Sequence, residues 1–111
     1  MKAASAKSKG RTLQQWVTKL ILKHFPSLTE HDVRSTSMGA SGVDVQLSTE
    51  ALKLFPYSVE CKSYASIAVY KWYDQAKTNT IKGTEPLLVI KANRQKPLVV
   101  VDAEYFFERI K

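Results

Sequence analysis

The spacing of hydrophobic positions changes several times along the 111-residue chain, and each change marks an element. Leu13, Trp16, Val17, Leu20, Ile21 and His24 recur every three or four residues, which predicts a helix opening at a Thr12 cap and ending before Pro26. Val33 to Ser37 reads as a short polar strand, followed by a connector whose Gly39 and Gly42 allow turns other residues resist. Val43 to Leu47 alternates with a period of two, predicting a strand with Val43, Val45 and Leu47 inward and Asp44 and Gln46 on the opposite face. Thr49 to Phe55 has room for one or two helical turns before Pro56.

Tyr57 to Ser63 alternates again, with Tyr57, Val59 and Cys61 toward a core and Glu60 and Lys62 on the other face. From about Ala65 to Thr80 the residues Ala68, Trp72 and Ala76 recur every four positions, predicting a second helix with Gln75 on its inward side. Pro86 to Ala92 and Pro97 to Val101 are continuous apolar runs of strand length, joined by the polar Asn93-Arg94-Gln95-Lys96. A last helix, roughly Ala103 to Ile110, sets Ala103, Phe106, Phe107 and Ile110 along one broad side. The principal order is helix, three strands, helix, two strands, helix, with no internal repeat. That order predicts an α/β layer arrangement with mixed strand directions.

Composition narrows the class. A chain of this length is one domain, with residues 11–111 forming it behind a basic, Ser/Ala-rich arm over residues 1–10 that is expected to be flexible. The arm has no hydrophobic segment behind it, unlike a secretory signal. No apolar run approaches the length of a membrane span. The single cysteine, Cys61, permits neither an internal disulfide nor a cysteine-rich zinc site, which fits a reducing cytoplasm.

The net charge of +7 is unevenly placed. Six of the 17 basic residues precede the first acid, Glu30, leaving eleven basic and ten acidic residues after it. A basic arm feeding a basic first helix suits contact with a polyphosphate, although plain solubility produces the same count.

Candidate chemistry centres on Glu60-Cys61-Lys62. Taken alone, an acid and a lysine two apart on a strand read as a surface ion pair. Beside them, however, Asp44 follows a glycine loop at the start of the preceding strand, and Gln75 lies on the next helix. If the two strands pair as a hairpin, Asp44 and Glu60 approach closely enough to share a cation. Two carboxylates and water suit Mg²⁺, which needs few protein ligands. Such an ion polarises a phosphoryl oxygen and acidifies bound water, while Lys62 can orient the water or stabilise charge on the phosphorus centre. His24 and His31 stand isolated, and Trp72 and Tyr73 read as core and helix-surface residues.

Gly42-Val43-Asp44, a 15-residue gap, Glu60-Cys61-Lys62 and then a helix with Gln75 together resemble the PD-(D/E)XK nuclease superfamily, and within it the small Holliday-junction resolvases of archaeal and phage type. The resemblance spans residues 10 to about 92. It implies a restriction-endonuclease-like core with a central mixed five-stranded sheet flanked by helices. It also implies catalytic roles for Asp44, Glu60, Lys62 and Gln75, with Mg²⁺, or Mn²⁺ in its place, held by Asp44, Glu60 and the Cys61 backbone carbonyl. By the same resemblance Lys7, Lys9, Arg11, Lys19, Arg34, Ser37 and Ser41 would contact DNA, the last two from a loop that reaches the substrate. The motif's usual proline before the aspartate is replaced by Val43. The first-helix glutamate of many relatives is also absent, its stretch in this chain being Gln14-Gln15.

The expectation is therefore a Mg²⁺-dependent, structure-selective endonuclease of the host cytoplasm, phage-like or prokaryotic. It would resolve branched intermediates of DNA recombination and repair as a homodimer, because a four-way junction needs two symmetric nicks. Competing readings are a nicking, flap or restriction-type nuclease acting on duplex DNA, and a non-catalytic nucleic-acid-binding module.

Overall fold

A computed structural model describes residues 2–37 and 42–111, with side chains described from Ala6 onward. Helix α1 runs from Lys2 to His24. It begins ten residues before the expected Thr12 cap, because Ala3, Ala4 and Ala6 and the flanking Lys2, Lys7 and Lys9 are strong helix formers and the stretch contains no proline. The segment expected to be an arm is thus continuous with the first helix. Strands β1 (Val33–Ser35) and β2 (Val45–Leu47) follow, then the short helix α2 (Thr49–Leu54). Ser48 caps α2 by accepting the Ala51 N–H at 3.1 Å.

The second half comprises β3 (Tyr57–Ser63), α3 (Val69–Thr78), β4 (Glu85–Lys91), β5 (Leu98–Val100) and α4 (Ala103–Arg109). Helix α3 is shorter than the period-four pattern suggested, since residues 65–68 form a bend rather than a turn of helix. It supplies the crossover that two parallel strands require, and β3 and β4 are parallel, with Glu60 opposite Leu88 and Lys62 opposite Ile90.

The expected single five-stranded sheet is not formed. The strands make two sheets, an antiparallel β1–β2 pair and a three-stranded β3–β4–β5 sheet in which β5 runs antiparallel to β4. Nor do the strands around Asp44 and Glu60 pair as a hairpin. β2 has only three residues, and a helix lies between it and β3, so the chain re-enters beside β2 without laddering against it. The two sheets meet through a backbone bond from the Asp44 N–H to the Val59 carbonyl, 2.9 Å.

Packing divides β3 by parity, as its alternation requires. Val59 and Cys61 face α1 and join Leu13, Val17, Ile21, Val33, Val45, Leu87 and Val89 in the main core. Leu13, Val17 and Ile21, four residues apart in the second half of α1, enter that core, whereas Trp16 and Leu20, expected in the same stripe, are exposed. On the α3 side, Trp72 packs on Leu88 and Ile90. Ser58, Glu60 and Lys62 share the α3 side of β3, so Glu60 is carried into a buried position by its strand.

Candidate active site

The backbone turns into the site at Gly42, whose φ of +95° is a conformation that side chains resist. Among the described residues, its chain neighbours aside, no atom lies within 4 Å of where its Cβ would stand, so the requirement is conformational rather than steric. Asp44 comes next. Its N–H bonds Val59, and its carboxylate Oδ2 accepts the Cys61 N–H at 2.7 Å. The side chain thus takes the β3 donor that a neighbouring strand's carbonyl would have taken. The ladder stops there because a carboxylate has replaced backbone, and the same bond fixes Asp44 beside Glu60.

Glu60 is 4% exposed. Asn79 Nδ2 donates to its Oε1 at 3.2 Å, and Lys62 Nζ lies 3.7 Å from its Oε2. Burial pushes the Glu60 carboxyl above its ordinary range and the Asp44 charge pushes it further, while Asn79 and Lys62 pull the other way. Asp44 is also raised by burial, against the opposing pull of the Cys61 N–H and the Lys62 ammonium. Two acids with adjacent backbone anchors are thus held where ionising both costs free energy. The Cys61 thiol points to the other side of the strand, into the core, and burial pushes it far above the usual thiol range.

Asp44, Glu60, Cys61 and Lys62 line one cavity of about 350 Å³ together with Gln75, Gln14, Lys7 and Ser37. It brings together Asp44, Glu60, Lys62 and Gln75, although Gln75 does so from an exposed position rather than the inward side expected of it. Gln75 lies three residues after buried Trp72, at the margin of the apolar stripe, so it leans over the cavity mouth. Of the residues expected to meet DNA, Lys7 and Ser37 line the cavity. Lys9 instead donates to Asn93 Oδ1 at 2.9 Å, on the side of the β4–β5 connector. Arg11, Lys19 and Arg34 are exposed and lie outside the cavity lining, and Ser41 lies outside the described residues.

One contributor was missed in the sequence. Asn79 sits at the end of α3, four residues after Gln75, a spacing that places both on one helix face and could have revealed it. Its position is secured from below. Buried Ser58 accepts the Ile81 N–H at 2.9 Å and meets Thr84 Oγ1 at 2.6 Å, pinning the loop after α3 onto β3. Gln14, from the Gln14-Gln15 stretch that stands in place of the first-helix acid, also lines the cavity; Ser35 Oγ donates to its Oε1 at 2.8 Å, so the amide N–H pair is what Gln14 offers. A hydrogen-bond donor suits a phosphate oxygen and cannot replace a ligating acid; the neighbouring Gln15 is exposed and takes no part in the lining.

Among the described residues no cluster of three or more His, Cys, Asp and Glu side chains is present, so the site offers two carboxylates. Comparison of the chain with family models, curated proteins and solved structures returned no match.

Proposed function

We propose that this protein is a divalent-metal-dependent endonuclease of PD-(D/E)XK type that hydrolyses phosphodiester bonds in DNA, with branched DNA as its preferred substrate. The observation carrying the reading is the 2.7 Å bond from the Cys61 N–H to Asp44, which sets a second carboxylate beside the buried Glu60–Lys62 pair. A structural ion pair has no use for that second acid, since it raises the cost of keeping Glu60 ionised. A bound cation repays the cost.

The donor set fits Mg²⁺, which retains several waters and takes one or two carboxylates. Asp44, Glu60 and the Cys61 carbonyl would hold it, and Mn²⁺ suits the same oxygens. Bound there, the ion supplies polarisation of a phosphoryl oxygen and acidification of water. Lys62, with its ammonium beside Glu60 and its side chain only 16% exposed, orients the attacking water and stabilises charge on the phosphate. Gln14 and Lys7 donate to phosphate oxygens, and Gln75 positions the scissile group at the cavity mouth. Water oxygen bonds to phosphorus and gives up a proton to solvent, the bond to one ester oxygen breaks, and the leaving oxygen takes up a proton from solvent, so the protons balance. Exposed basic residues of α1 hold backbone phosphates without reading bases.

Incubation with Mg²⁺ and matched four-way, flap and linear duplex substrates tests the reading. Preferential cutting of the four-way junction is expected. Equal cutting of linear duplex would remove the junction preference, and no cutting of any substrate would remove the enzyme. Lys62→Ala should bind DNA with near-normal affinity and cut about 10² to 10⁴-fold more slowly. Full activity in that variant would overturn the role of Lys62 in catalysis.

A further inference from the structure

Tyr64 lines the cavity at Asp44 and takes no part in the chemistry assigned to it. Its N–H bonds the Lys91 carbonyl at 3.1 Å, so the extended course of β3 continues through it. Alternation then puts its side chain on the α3 side with Glu60 and Lys62, about 6.6 Å beyond Lys62 along the strand. The ring lies against buried Trp72, with centroids 5.3 Å apart and planes tilted by 31°. Trp72 thus supports the ring, yet Tyr64 is 44% exposed, and residues 65–68 after it are exposed rather than folded over it. Gly10 of α1 lines the same cavity. A glycine inside a helix weakens it, and this one leaves part of the cavity wall without a side chain. A hollow of about 350 Å³ is large enough for a small ligand.

We propose that Tyr64 stacks on an unpaired base of the DNA, next to the phosphate held at Lys62, and that this contact sets the preference for branched substrates. A supported ring with an accessible side is what base stacking needs, and such stacking tolerates any sequence because every base has a π-face. Successive bases of a strand rise by about 3.4 Å, so a ring about 6.6 Å from Lys62 lies within reach of a base adjoining that phosphate. Inside a duplex both faces of each base are covered by its neighbours. Free faces occur where the stack is broken, at a branch, flap or gap. The ring therefore rewards a broken stack at the point of cutting and gains nothing from intact duplex.

A purely structural role does not call for this residue. Leucine in its place would still cover Trp72 with apolar surface, and would offer no ring to the cavity. The inference rests on the nuclease reading for the position of the phosphate at Lys62. The stacking contact itself needs no metal, so it can be measured apart from cutting.

The test is binding of the full chain, in a metal chelator, to a fluorescent four-way junction followed by anisotropy. Each nucleotide beside the branch point is made abasic in turn, which removes a base and keeps its phosphate. For the parent, one such position should weaken binding about 5 to 150-fold. Tyr64→Leu should lose the same factor on the intact junction and be indifferent to that abasic position, while Tyr64→Phe should behave as the parent. Parent binding unaffected by every abasic position, or Tyr64→Leu as sensitive to them as the parent, would overturn the proposal. The first of these needs no variant, so it decides the matter even if Tyr64→Leu fails to fold. Cleavage with Mg²⁺ keeps the two readings apart. Base-dependent binding without cutting leaves the Tyr64 contact standing and removes the nuclease, whereas cutting of the junction with no abasic effect removes the contact alone.

Discussion

Replacing Asp44 in two ways separates what the residue does for the fold from what it does for chemistry. Asp44→Ala removes the acceptor of the Cys61 N–H, bound at 2.7 Å on a buried strand. Leaving such a donor unpaired costs about 1–3 kcal/mol. Removing the Asp44 charge gives part of that back, because its ionisation is opposed by burial and its charge opposes that of Glu60. The net loss should be about 1–2 kcal/mol. For a domain of this size each kcal/mol moves Tm by about 4 °C, so Asp44→Ala should melt about 4–8 °C lower in the absence of divalent cation. Asp44→Asn keeps a carbonyl for Cys61 and removes the charge, so it should melt at or above the parent temperature. Neither variant should gain stability from Mg²⁺, and neither should cut DNA measurably. Thermal melts of both variants and the parent with and without Mg²⁺, paired with cleavage assays, supply these comparisons. Equal melting of the Ala and Asn variants would refute the structural half, and cleavage by Asp44→Asn at the parent rate would refute the chemical half.

Further outcomes follow from the same site. Both acids have carboxyl pKa values raised by folding, so the native state binds more protons than the unfolded one across that window. Their contribution is fullest below the ordinary carboxylate range and is lost as pH rises through the raised values; a Tm series against pH should show that fall in parent protein more steeply than in Glu60→Gln. At neutral pH, Mg²⁺ at ten times its Kd should restore about 1.4 kcal/mol, read as an upward shift in Tm. Asn79→Ala removes the amide that holds Glu60 and should lower metal affinity and cleavage about 10 to 100-fold, with the circular dichroism spectrum preserved. Cys61, buried with its thiol kept protonated, should react with a thiol reagent only as fast as the chain unfolds; rapid labelling of native protein would contradict its placement.

Much of the local architecture was determined by the chain's own pattern. Alternation through Tyr57 to Ser63 determined that Glu60 and Lys62 share one side of a strand while Val59 and Cys61 share the other, because side chains of extended backbone alternate wherever the strand sits. The four-residue spacing of Trp72 and Ala76 likewise set the inward face of α3. Pairing between strands was not legible, since it depends on where distant segments return to one another. Only the tertiary structure decided that β2 stops short of β3, that two sheets replace one, and that a carboxylate bridges the gap. Asn79 reaches Glu60 across 19 residues of chain because Ser58 pins the loop that follows α3, a contact that local propensity cannot express. The spacing of Ala103, Phe106, Phe107 and Ile110 marked α4 as a helix, but whether its apolar side is covered depends on packing. In the folded chain that side is left open.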